Sequence, residues 1–177
     1  MRIVVACFGN PLRADDGFGF VVAQRLSDRP VPAGVTVLDV GIGGIHLVQE
    51  LLEPADALVL VDALDLGRSP GSVVVLRPDV RDVSVLPVQQ QRDELADMHY
   101  ATPERALLLA RGLGVLPETT IMVGAQALDA DGLGEGLSTQ VAGAVDAAVE
   151  EVRRVVSDLG IPWEQGTGRA GPTSAGA

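Results

Sequence analysis

Residues 9–19, Gly-Asn-Pro-Leu-Arg-Ala-Asp-Asp-Gly-Phe-Gly, set two adjacent carboxylates, Asp15 and Asp16, directly behind the apolar run Ile3–Phe8. A further carboxylate, Asp62, stands at the end of another apolar run, Ala57–Val61, with Asp65 close behind. The imidazoles available are His46 and His99. Two carboxylates and an imidazole make a borderline ligand set suited to nickel, zinc or iron, with an exchangeable position left over for chemistry. Asp16, Asp62 and one histidine are therefore the candidate metal-contacting residues. Each has an ordinary alternative. Asp15 or Asp16 can cap a helix, Asp62 can form a strand-end turn, His46 suits a structural role in a helix, and His99 suits a solvated loop.

Other chemistries find less support. Gly41-Ile42-Gly43-Gly44 follows a strand and precedes a helix, but it is not the G-x-G-x-x-G spacing, and a P-loop needs a lysine. All 13 basic residues are arginine. No G-x-S-x-G elbow is present to expose a nucleophilic serine. The single cysteine, Cys7, lies inside the first apolar run, which makes it a buried structural thiol and excludes a disulfide framework.

These residues must be positioned by the elements around them. Short continuous apolar runs bounded by turns read as buried strands: 2–8, 35–40, 57–61, 72–76 and 119–123. Helical spacing appears over 16–28, ended by Pro30 and Pro32, over 45–52, over 104–112 behind Thr102-Pro103, and over a long segment behind Ser138. The loop 63–71 is too short for a parallel crossover, so the fourth strand is expected to run antiparallel towards a sheet edge. Segment 77–97 is polar and irregular and reads as a long functional or mobile loop.

The alternation implies an α/β fold: a single three-layer αβα domain around a mostly parallel five-stranded twisted sheet. Residues 1–160 are assigned to it and 161–177 to a disordered tail rich in Gly, Thr, Ser, Pro and Ala. In such sheets ligands bind beyond the carboxyl ends of the strands, at the switch point between strands one and three in one common order. That order would bring Asp16 and Asp62 face to face.

Composition limits the partners. Of 177 residues, 47% are hydrophobic and 3% aromatic, so the core rests on Val, Leu, Ile and Ala. The formal net charge of −11 argues against nucleic acid and anionic membranes as partners. No apolar stretch reaches membrane-spanning length. With no secretory leader in view, the expected location is cytoplasmic.

The motif Gly9-Asn10-Pro11-Leu12-x-x-Asp15-Asp16-Gly17-x-Gly19 resembles the opening signature of the hydrogenase maturation proteases. The resemblance continues through Asp39-x-Gly41, Val61-Asp62-Ala63, His99 and Gly136-Leu137-Ser138, covering about residues 1–157. It implies an endopeptidase that removes the carboxyl-terminal extension of a nickel–iron hydrogenase large-subunit precursor. Asp16, Asp62 and His99 fall on the family's metal-contacting and catalytic positions. Gly9, Asn10, Asp15, Asp39 and Gly41 fall on loops beside the substrate, with Asp15 read as the helix cap. The metal would be nickel already loaded into the precursor, with zinc or cadmium as surrogate, so no permanent cofactor is expected.

Two positions depart from the family pattern. Ile42 stands where threonine is common, and Ala125-Gln126-Ala127 follows Gly124 where proline is usual. A non-catalytic, chaperone-like protein that captures the metallated precursor is the alternative function, and a small-molecule-binding α/β domain is a third.

Overall fold

The computed structural model describes residues 1–83, 85–87, 89–90 and 102–164. Its strands are β1 (Ile3–Phe8), β2 (Val35–Gly41), β3 (Ala57–Leu64), β4 (Val73–Leu76) and β5 (Thr119–Gln126). The helices are α1 (Phe18–Ser27), α2 (Ile45–Leu51), α3 (Pro103–Gly112), the short α4 (Thr139–Ala142) and α5 (Val145–Asp158). A 3₁₀ turn over Ala14–Gly17 leads into α1.

The strands lie in the order β2-β1-β3-β5-β4. All neighbours are parallel except β4, which pairs antiparallel with β5 at the sheet edge. The switch point therefore falls between β1 and β3, as the sequence pattern implied.

Strand alternation divides the core into two layers. Ile3, Val5, Cys7, Val59 and Val61 point to one face, where α1, α4 and α5 cover them. Val4, Ala6, Phe8, Leu58 and Leu60 point to the other, under α2 and α3. Both faces of β1 are fully buried, which is why its sequence is an unbroken apolar run with no alternation.

Several boundaries differ from expectation. β3 and β5 run three residues further than their apolar runs, pairing Asp62 with Gly124, Ala63 with Ala125 and Leu64 with Gln126. Gly124 does not close β5. It lies within the strand, where a Cβ would stand 2.2 Å from Leu64 Cδ1, so its missing side chain makes room for Leu64. Ser138 caps only the four-residue α4, its Oγ accepting from the Val141 N–H at 3.4 Å. A break at Gly143 and Ala144 separates that turn from α5. Thr102 does cap α3, with Pro103 in the first turn.

Packing continues past residue 160. Trp163 is buried against the α5 layer with the Arg153 guanidinium 6.0 Å from its ring centroid, while 165–177 lie outside the described residues. In the expected loop 77–97, residues 77–83 are irregular and Val83 is buried. Among the described residues no helix is long and apolar enough to cross a membrane.

Candidate functional site at the carboxyl end of the sheet

The turn after β1 is built by local bonds. The Asn10 N–H donates to the Asp16 carbonyl at 3.2 Å and to Asp16 Oδ2 at 3.1 Å. Asn10 Oδ1 accepts from the Leu12 N–H at 3.0 Å, and the Asn10 carbonyl accepts from the Arg13 N–H at 3.0 Å. Gly9 makes this closure possible. Its φ of +152° lies outside ordinary L-residue space, and a Cβ there would stand 2.3 Å from the Asp16 carbonyl oxygen. Gly19 brings α1 down onto the strand ends, since a Cβ would meet the Phe8 carbonyl at 1.8 Å and that of Val61 at 2.8 Å. The glycines of the motif thus serve close backbone approach, and they leave Asp16 half-buried at the end of β1.

Asp62 comes from the neighbouring strand. β1 pairs with β3 only as far as Cys7 with Val61, so Asp62 lies one residue beyond, at the switch point. It is not a strand-end turn former, because β3 continues through it. It shares the parity of Leu58 and Leu60 and so belongs to the α2/α3 face. The Ala63 N–H donates to Asp62 Oδ1 at 2.8 Å.

The electrostatics join the two carboxylates. Burial pushes the Asp62 carboxyl up to about 8; the charges of Asp16 and Glu104 add to the rise, and the Ala63 N–H opposes it. Asp16 is also raised, chiefly by burial and secondarily by Asp131, against the Asn10 N–H and the Arg13 charge. Burial thus favours the protonated form of both carboxyls, and such groups can give up their protons to an incoming dication. Cys7 belongs to the opposite face of the sheet from Asp62, and burial, helped by Asp39 and Asp62, raises its thiol far above the usual range. That thiol is inert, as its place in a buried strand suggested.

Asp15 is not a helix cap. Gly17 precedes α1 without any side-chain cap bond, and Asp15 points inward, fully buried. Its Oδ2 accepts from the Leu128 N–H at 2.9 Å, the Asp129 N–H at 3.0 Å and the Ser138 hydroxyl at 3.0 Å. Its Oδ1 accepts from the Ser138 N–H at 2.7 Å. Burial alone would raise this carboxyl, but these bonds together hold it below the usual carboxylate range. Asp15 therefore ties the motif to the loop between β5 and α4. Further backbone bonds join Ala14 and Leu12 to Gly134, and Arg13 pairs with Asp131 at 2.8 Å.

The remaining residues separate. Asp39 is exposed at the end of β2 and makes a local turn with the Gly41 N–H at 3.1 Å, while the Gly41 carbonyl accepts from the Gly9 N–H at 3.1 Å. His99 lies outside the described residues. His46 is exposed in the first turn of α2. Among the described residues no group of three or more His, Cys, Asp or Glu could hold a metal ion, so His46 does not complete the set with Asp16 and Asp62.

Two contributors escaped the sequence reading. Glu104, in the first turn of α3, lies close enough for its charge to act on Asp62. Gln126 is buried in the tripeptide where this chain departs from the family's usual proline. Its Oε1 accepts from the N–H groups of Leu66 at 2.8 Å and Arg68 at 3.1 Å, and its Nε2 donates to Asp65 Oδ1 and the Ala127 carbonyl. The signal for Gln126 was that same unusual tripeptide. Replacement by Leu strands two loop N–H groups and is expected to cost about 1–3 kcal/mol. Hydrogen exchange should then accelerate at Leu66 and Arg68 first, and unchanged protection there would refute this role.

Together these features define an α/β domain with two carboxylates, Asp16 and Asp62, at the switch point of its sheet. A family profile described as hydrogenase maturation protease matches residues 21–155. The hydrogenase expression/formation protein HupD of Rhodobacter capsulatus is 32% identical over 166 residues, spanning 93% of this chain and 76% of that protein. HupD of Rhizobium leguminosarum is 34% identical over 90% of this chain and 76% of its own length. Among solved structures, a hydrogenase 2 maturation peptidase from a Thaumarchaeota archaeon superposes with a TM-score of 0.62 at 29% identity, covering 88% of this chain and 98% of that one. The maturating endopeptidase HybD of E. coli shares the fold, with a TM-score of 0.71 at 24% identity over 92% and 96% of the two chains. The chain belongs to the hydrogenase maturation protease family.

Proposed function

We propose that this protein is a cytoplasmic endopeptidase that removes the carboxyl-terminal extension of a nickel–iron hydrogenase large-subunit precursor after nickel has been inserted. The nickel is part of the substrate; the protease carries no permanent cofactor. Asp16, Asp62 and His99 contact that metal and so hold the nearby scissile bond in place. The observation that carries this reading is the pairing of Asp16 and Asp62 at the switch point, in a chain belonging to a protease family. Both carboxyls bind protons more tightly than ordinary aspartates, so both suit displacement of a proton by a dication. Metal polarisation of the scissile carbonyl and activation of a water by a carboxylate base are the two chemistries open to such a set.

The test is cleavage of purified precursor, followed by mass spectrometry. Nickel-loaded precursor is expected to shorten and nickel-free precursor to remain intact. Asp16→Asn and His99→Ala are each expected to abolish shortening. Equal cleavage by His99→Ala would remove that residue from the set. Stable capture of the loaded precursor with no product would replace hydrolysis by chaperone-like binding.

A further inference from the structure

The large apolar side chains exposed among the described residues are Met1, Leu52, Val75, Val85 and Leu113, and six more that follow the carboxyl ends of strands. Leu12, Ile42, Ile45, Leu66, Leu128 and Leu133 are all exposed, the last by 93%. Leu12 follows β1, Ile42 and Ile45 follow β2, Leu66 follows β3, and Leu128 and Leu133 follow β5. Those four strands are mutually parallel, so all six residues lie at the same carboxyl end as Asp16 and Asp62.

The loops carrying them are held in shape. Leu12 and Gly134 are bonded across the gap between two loops, and Asp15 anchors Leu128 from beneath. Gln126 fixes the Leu66 N–H, and the Gly9 N–H reaches the Gly41 carbonyl beside Ile42. Exposure on a pinned loop gives up favourable burial without gaining freedom of motion, and a rim of such residues marks a surface that another protein covers.

Charge narrows the partner. On these same loops and at the end of β2 the exposed acids are Asp39, Asp65, Asp129, Asp131 and Glu135, and the bases are Arg13 and Arg68. Arg13 is already paired with Asp131. An apolar and acidic rim repels phosphate backbones and anionic lipid, and it also repels a second copy of itself. It fits a protein surface that is apolar at its centre and basic around it.

We infer that the leucine and isoleucine rim is a docking surface for the folded body of the precursor around its metal site, so that the protease recognises a protein surface as well as a metal. This rests on the reading of the Asp16/Asp62 cleft given above. The rim sets affinity for the precursor, while the cleft sets the chemistry.

The test is steady-state cleavage of nickel-loaded precursor by Leu12→Ser/Leu133→Ser, which removes apolar surface without adding charge. KM is expected to rise at least tenfold with kcat kept within twofold. Leu52→Ser, at the carboxyl end of α2 and hence at the opposite end of the sheet, serves as control and is expected to match the parent. If the parent cleaves and the double variant shows unchanged KM, the docking surface is wrong while the protease reading stands. If the parent does not cleave any loaded precursor, the protease reading fails first. Sedimentation of parent and double variant closes the remaining route: a parent dimer that the substitutions dissociate would assign the rim to a second copy and overturn the inference.

Discussion

Replacing Asp15 by Asn is expected to destabilise the fold by about 2–4 kcal/mol, because it converts an ideal acceptor into a mismatched donor–acceptor. Four donors converge on this carboxylate, three on Oδ2 and one on Oδ1. An amide can offer oxygen on one side only. With its oxygen facing Leu128, Asp129 and the Ser138 hydroxyl, its NH₂ must face the Ser138 N–H across 2.7 Å, two donors in contact. The reverse orientation is worse, since the NH₂ then meets three donors. The loss spreads, because the Ser138 hydroxyl that donates to Asp15 also caps α4.

The pH dependence has a definite sign. The folded Asp15 carboxyl lies below its unfolded value, so its contribution is fully present above the unfolded pKa of about 3.9 and is lost as pH falls through the folded one. Urea titration at pH 7 should show the lower midpoint in Asp15→Asn, and the gap between variant and parent should close as the pH is lowered below about 4. A variant as stable as the parent at pH 7 would show that the four bonds contribute nothing net. Asp15→Asn also tests the boundary between structure and chemistry: with Asp16 intact, any surviving folded fraction should still cleave.

The different partners of the adjacent Asp15 and Asp16 mark how far the sequence could be read. Order and type of the elements were legible because β1 and β3 are buried on both faces and can only be apolar runs. The short loop after β3 likewise forced β4 to run antiparallel. The switch-point pairing of Asp16 with Asp62 followed from that order. What could not be read was any feature fixed by distant partners. Asp15 binds groups more than 110 positions away, and locally it looked like a cap because Asp favours helix starts. Strand ends were misjudged for a related reason. Asp62 interrupts an apolar run, yet the backbone of β3 continues because β5 offers Gly124 opposite and Leu64 fills the space. Gln126 carried a hint in its departure from the family pattern, but its four hydrogen bonds only appear once the loop after β3 folds back over it.

Asp62→Asn should have the contrary effect on stability to Asp15→Asn. The folded Asp62 carboxyl, pushed up to about 8, binds its proton more tightly than the unfolded chain does. Between the unfolded pKa of about 3.9 and about 8 the native state therefore holds the extra proton, and stability falls as pH rises across that window. Above it the charge is carried at a cost on the order of 2 kcal/mol, discounted for the partial solvent access of the group. An amide has the shape of the protonated carboxyl and never ionises, so Asp62→Asn should match the parent near pH 4 and exceed it by that amount near pH 9. Urea midpoints at the two pH values measure both ends. Under the proposed function the same proton connects stability to metal recognition. A dication must displace it, so the apparent affinity of the parent for cadmium should weaken by up to about tenfold per unit as pH falls below 8. Asp62→Asn should lose both the affinity and this dependence. Equal stability of the two proteins at pH 9 would show that the carboxyl ionises without strain. The burial of Asp62 would then have no bearing on how a metal is sensed. If the gain in stability appears together with the loss of cadmium binding, the buried carboxylate is a feature retained against stability for the sake of the site.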